Sequence, residues 1–103
     1  MPDDLEARNE YLRHQQGKRI MDYNGDAQVI IGLAQEKLRE LRLADDQDKA
    51  EELSTLLKQA HDHMTILTDW VDRGEIMDET KLVELLNVNW ARQYSEFLSK
   101  YQL

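Results

Sequence analysis

An unbroken heptad of apolar residues in the middle of the chain limits the fold more than any other feature of the sequence. Its spacing alternates between four and three residues, the period of a helix that packs along one face, at Leu53, Leu57, Ala60, Met64, Leu67 and Val71. Asp46 or Asp48 can cap this helix, and Gly74 suits its C-terminal end. A helix from Asp46 to Arg73 would be about 42 Å long, so the sequence predicts an elongated fold in which Leu57, Met64 and Leu67 are buried.

Two further helices are predicted before this segment. The first covers residues 4–21, and its sparse apolar positions and the helix-weakening Gly17 predict that it is only loosely docked. Asn24-Gly25 is a turn signal, and Asp26 can cap a helix that follows it. Apolar residues then recur at helical spacing, which predicts a second helix over residues 26–43.

The last helix is predicted to begin after Asp78. The segment Asn87-Val88-Asn89 interrupts its apolar stripe with poor helix formers, which predicts a kink or a break there. The predicted fold is therefore all-α, with three to four helices in an elongated bundle or helical hairpin and the long third helix packed antiparallel on the fourth. Residues 1–103 form a single domain, because a chain of 103 residues has room for one core, and residues 1–22 are its loosely docked N-terminal helix.

The composition excludes several classes of protein. The chain has 13 basic and 21 acidic residues, a net charge of −8, whereas proteins that bind nucleic acid directly need a basic surface. The absence of cysteine excludes disulfide bonds, thiol catalysis and cysteine zinc sites. Because no apolar stretch approaches 18 residues and the N-terminus is acidic, the sequence predicts a cytoplasmic protein with neither signal peptide nor membrane contact.

The excess of acid is concentrated in the predicted third helix and its flanking loops. Residues 45–80 hold eleven acidic and three basic residues. Glu51, Asp62 and Asp69 lie about 160–180° around the helix from Leu53, and Asp72 follows them. This acidic strip has two interpretations: it is a solvated face that keeps the protein soluble, or it docks on a basic protein surface, such as one that normally holds nucleic acid.

A second candidate interface is apolar. The predicted third helix carries extra apolar residues beside its main seam, which is more than one neighbouring helix requires, and the last helix is rich in aromatic residues. The aromatic residues either fill the core or form part of an exposed binding surface. The candidate residues are Leu56, Ile66, Trp70, Tyr94, Phe97 and Tyr101.

No catalytic or metal-binding motif is present in the sequence. His61 and His63 are two residues apart and point in nearly opposite directions on a helix, so they cannot share one ion. Calcium-binding loops that start at Asp22 or Asp46 would have a leucine at the twelfth position, where glutamate is required. There is also no glycine-rich phosphate loop and no nucleophile elbow. The sequence therefore predicts neither an enzyme nor a bound metal or cofactor.

Two functions remain consistent with this pattern. The first is a small acidic, non-enzymatic protein-binding module that acts as an inhibitor or regulator by docking its acidic helix face on a basic partner, as a mimic of nucleic acid would. Inhibitors carried by phages and other mobile elements use such surfaces, although this analogy rests on composition alone. The alternative is a structural or adaptor protein that self-associates, as a homodimer or larger oligomer, through the apolar seam of its third helix.

Overall fold

Four helices account for nearly all of the structure, a computed structural model that describes the backbone of residues 2–103 and the side chains of residues 4–103. They are α1 (Pro2–Leu43), α2 (Gln47–Arg73), α3 (Glu79–Leu86) and α4 (Trp90–Tyr101). No strand occurs in this part of the chain, which confirms the all-α prediction. The molecule measures 64 × 20 × 16 Å, and the longest dimension is set by α1, since 42 residues at 1.5 Å each give about 63 Å.

The predicted turn at Asn24-Gly25 is wrong, because α1 continues through it without interruption. Neither residue has a positive φ angle, so the conformations that make Asn-Gly a good turn are not used here. The buried residues on the two sides of Gly25 belong to one seam with heptad-like spacing: Ile20, Ala27, Ile31, Ala34, Leu38 and Leu41. Most of this seam packs in the core with residues of α2, and its burial outweighs the cost of about 1 kcal/mol for one glycine in a helix.

The principal pair of helices is α1 and α2, not the last two helices of the chain as the sequence predicted. The turn between them is closed by a hydrogen bond from the Asp46 N–H to the Leu41 carbonyl at 3.0 Å, and Asp45 adopts a positive φ of 57°. The two helices form a hairpin, and α4 covers it by burying Trp90, Tyr94 and Phe97 in the same core. Because the last third of the chain is divided into α3 and α4, neither helix can offer α2 a seam as long as that of α1.

The ends of the shorter helices follow the sequence closely. Gly74 ends α2 in the left-handed conformation, with φ of 66°, and its N–H bonds the Val71 carbonyl at 3.0 Å. The predicted break at residues 87–89 is confirmed, since α3 ends before it and α4 begins after it. The Asn89 side chain caps α4 by accepting a hydrogen bond from the Arg92 N–H at 3.0 Å.

The core consists of two clusters. The larger lies between α1, α2 and α4. The smaller joins Ile20, Leu67, Met77 and Leu82, and so connects α1 and α2 to α3. Leu53, Leu67 and Leu82 are fully enclosed, and the predicted burial of Leu57, Met64 and Leu67 is confirmed.

The N-terminal part of α1 projects beyond the hairpin. Residues 4–15 are exposed apart from Asn9 and Leu12, which are half-buried, and the first fully buried side chain is that of Gln16. Of the segment 1–22 predicted to dock loosely, residue 1 lies outside the described part. From Gln16 onward the helix is packed, so the projection is shorter than the predicted segment.

Candidate protein-binding surfaces

The acidic face, defined as Glu51, Asp62, Asp69 and Asp72, lies on the exposed side of α2. All four side chains are exposed, on the side of the helix opposite the buried seam. From Glu51 to Asp72 the face extends over about 32 Å, at 1.5 Å per residue. Because the opposite side of α2 is anchored in the core, the carboxylates are held at fixed helical spacing.

Only part of the charge of this face is compensated within the chain. Arg73 bonds Asp69 at 2.6 Å and lies 3.9 Å from Glu75. Among the described side chains, Glu51, Asp62 and Asp72 form no ion pair. Exposed pairs such as Asp69–Arg73 contribute little to stability, so Arg73 is free to exchange partners when another basic group approaches.

Glu52 differs from its neighbour Glu51, because it ties the beginning of α2 to the end of α4. Its carboxylate accepts hydrogen bonds from the Tyr101 hydroxyl and from Lys100 Nζ, the latter at 3.0 Å. These two bonds, that of Tyr101 foremost, lower the pKa of Glu52 below its ordinary value. Glu52 is therefore a structural contact and lies outside the acidic face.

The state of Glu52 can be followed by titrating its carboxyl carbon by NMR. We expect a midpoint below the ordinary glutamate value of 4.5, because the charged form accepts both bonds. Replacing Tyr101 with phenylalanine should raise the pKa towards that value. Since the folded pKa is below the unfolded one, the stabilisation by Glu52 is present above the unfolded pKa and is lost as the pH falls through the folded pKa. An unchanged midpoint in the Tyr101→Phe variant would contradict this assignment.

The six apolar candidates do not form one exposed patch. Tyr94 and Phe97 are buried in the larger cluster, where they fill the core. Leu56 and Tyr101 are partly buried against that cluster, whereas Trp70 packs on the smaller one. Ile66, with 49 % of its surface exposed, is the most exposed of the six. The core interpretation therefore holds for Tyr94 and Phe97.

Trp70 has a second role on the surface of α2. The Arg73 guanidinium carbon lies 5.2 Å from the centroid of its ring, and Lys81 Nζ lies 5.7 Å from it. Both distances allow cation–π attraction. These contacts place two basic groups beside Asp69, at the C-terminal end of the acidic face.

An open groove of about 870 Å³ lies between α2 and α4. Leu56, Val88 and Phe97 form its apolar part, and its charged residues are already paired: Lys100 with Glu52 at 3.0 Å and Arg92 with Glu96 at 3.1 Å. With the carboxylates engaged in ion pairs, the groove has no arrangement suited to general acid–base chemistry. The sequence did not indicate this groove, because it forms only when α4 packs on the hairpin.

Three polar side chains fix the connections around α3, and sequence analysis missed their roles. The Gln16 amide donates to the Met77 carbonyl at 2.7 Å and accepts from the Met77 N–H at 2.9 Å. The Tyr23 hydroxyl donates to the Val88 carbonyl, and His63 Nε2 lies 2.7 Å from the Leu85 carbonyl. These contacts satisfy backbone groups that the ends of short helices leave without partners.

His63 is therefore a structural residue and not a ligand. Its ring packs edge-on between Tyr23 and Trp90, at centroid distances of 5.8 and 5.7 Å. Burial raises the pKa of Tyr23, so its hydroxyl keeps the proton that it donates at neutral pH. In the described part of the chain, no three histidine, aspartate or glutamate side chains are grouped closely enough to hold a metal ion.

Comparisons with protein-family models, with curated proteins and with solved structures found no match to this chain. Among residues 2–103, no helix has the length and apolar character needed to cross a membrane.

Proposed function

We propose that this protein is a small, non-enzymatic protein-binding module of the cytoplasm that inhibits or regulates a basic partner. The observation that carries the proposal is the acidic face, a line of exposed carboxylates on a long helix whose opposite side is buried. A rigid helix can present these charges to a partner without losing conformational freedom on binding.

Electrostatics favour a basic protein as the partner. The net charge of −8 repels phosphate groups and attracts positively charged surfaces. A row of carboxylates about 32 Å long is suited to a basic groove, such as one in which a protein holds nucleic acid. Such charges increase the association rate more than they lengthen the lifetime of the complex.

The arrangement of α4 supports this use of α2. Glu52 near the start of α2 contacts Lys100 and Tyr101 at the end of α4, and His63 farther along packs on Trp90 at its start. We infer that α2 and α4 run antiparallel. The helix α4 then covers one flank of α2, α1 covers its buried seam, and the acidic face is left open.

The alternative, self-association through the apolar seam of α2, has no support from burial. Leu53, Leu57, Ala60, Met64 and Leu67 are all buried within the chain. A second chain could reach them only if the hairpin opened, which would cost most of the core.

The proposal is tested by neutralising the acidic face with the variant Glu51→Gln/Asp62→Asn/Asp69→Asn. A matched control, Asp4→Asn/Glu6→Gln/Asp26→Asn, removes the same charge from exposed positions of α1. Each protein is immobilised and exposed to cell extract at low and high salt, and the captured proteins are identified. Association rates are then measured with the purified candidate.

We expect basic proteins that wild type and control capture at low salt but the acidic-face variant does not. The variant should associate at least tenfold more slowly at low salt, with a difference that shrinks as salt rises, because exposed charges are screened over about 8–10 Å. Equal capture and equal rates for variant and control would refute the proposal.

A further inference from the structure

The side of α1 that faces away from the hairpin is unusually apolar for an exposed surface. We define this outer face by Tyr11, Met21, Gly25, Val29, Gly32 and Leu43, which lie within about 40° of Gly25 around the helix and opposite the buried seam. The side chains of Tyr11, Met21, Val29 and Leu43 are 60, 63, 64 and 80 % exposed. Their spacing follows a second heptad-like pattern along the same helix, so α1 carries two packing faces and the chain itself covers one.

The glycines of the outer face have no function within the chain. A methyl group added at Gly25 or Gly32 would meet open space, so packing within the chain does not require either residue. Glycine also destabilises a helix interior relative to alanine. The absence of side chains at these positions lets the backbone of another helix approach closely.

We propose that a second copy of this chain covers the outer face, with the two α1 helices antiparallel and centred on Gly25. This register is self-complementary in size, because Met21 lies opposite Val29 of the partner and Leu43 lies opposite the small Ala7. A twofold axis through Gly25 repeats each contact, as the symmetry of a homodimer requires. The surface is separate from the acidic face of α2, so the inference does not depend on the proposed function.

The charges on α1 select a second copy and fix its direction. With Gly25 opposite Gly25, Glu10 lies beside Arg39 of the partner, and Glu36 lies between the partner's His14 and Lys18. Glu10, Lys18, Glu36 and Arg39 are exposed and form no ion pair within the chain. A parallel pair would place each charge against itself, and such repulsion is costly.

The dimer is tested by sedimentation equilibrium over a range of protein concentrations. We expect a monomer–dimer equilibrium that Val29→Glu weakens at least tenfold, because it introduces a charge into the pairing face. Val83→Glu is the matched control, since Val83 is an exposed valine on α3, and it should leave the equilibrium unchanged. A wild-type chain that stays monomeric, or an equal effect of the two variants, would overturn the proposal.

Charge reversal tests the direction of pairing. Arg39→Glu alone should weaken the dimer, because it places two acidic groups side by side, and the double variant Glu10→Arg/Arg39→Glu should restore it. Failure of the second substitution to rescue the first would contradict the antiparallel register.

Because the chain has no cysteine, single engineered thiols provide a geometric test. A mixture of Ala7→Cys and Leu43→Cys chains should form disulfides between the two variants under oxidising conditions. A parallel pair would instead link Ala7→Cys chains to each other and Leu43→Cys chains to each other, and that outcome would refute the proposed orientation.

Discussion

Replacing Leu67 with alanine should lower the free energy of unfolding by about 2–5 kcal/mol, the range for core leucines. Leu67 has no exposed surface and packs in the cluster with Ile20, Met77 and Leu82. The substitution leaves a cavity at the point where α1, α2 and α3 meet, which the surrounding helices can fill only partly. Urea unfolding followed by circular dichroism measures the effect.

The adjacent Ile66 provides the control, because the same helix holds it with 49 % of its surface exposed. Ile66→Ala should change the free energy of unfolding by less than about 1 kcal/mol. A change below about 0.5 kcal/mol for Leu67→Ala would show that the smaller cluster is not formed in solution. Equal losses for the two variants would contradict the orientation of α2.

Replacing Gly25 with proline should cost about 3 kcal/mol or more. Proline removes the backbone N–H that a helix interior needs, and its ring clashes with the preceding turn. In the structure Gly25 lies in the middle of α1, whereas in the turn that the sequence predicted, loss of this N–H would be tolerated far better. Unfolding should be measured in dilute solution, so that pairing of chains does not contribute.

Gly25→Ala is the complementary variant and should have the opposite sign. A helix interior gains about 0.5–1 kcal/mol when alanine replaces glycine, and the added methyl group meets no neighbouring atom. An Asn-Gly turn with positive φ would instead be destabilised by alanine. Destabilisation by alanine combined with tolerance of proline would show that the chain turns at this point.

Secondary structure and its local boundaries could be predicted well because their causes are local. The heptad from Leu53 to Leu67 defines the buried side of α2, and the same arithmetic places Glu51, Asp62 and Asp69 on the exposed side. Gly74 ends α2 because only a residue without a side chain adopts positive φ freely. The break at residues 87–89 follows from their poor helix propensity.

Much of the candidate apolar surface could not be predicted, because its burial depends on which helix lies above it. Tyr94 and Phe97 have the spacing of a core face and the composition of an interface, and only the packing of α4 on the hairpin placed them in the core. The same holds for Gln16, whose exposed appearance in the sequence conceals two hydrogen bonds to Met77, 61 residues away.

The sequence by itself determined that the chain is helical, where α2 ends and which side of α2 is acidic, since periodicity and helix propensity act within a few residues. The tertiary structure alone decided that α1 runs unbroken through Asn24-Gly25 and pairs with α2. Local preference favours a turn there by about 1 kcal/mol, but the apolar surface buried along a continuous seam contributes several times more. That surface becomes available only when two distant segments of equal period meet.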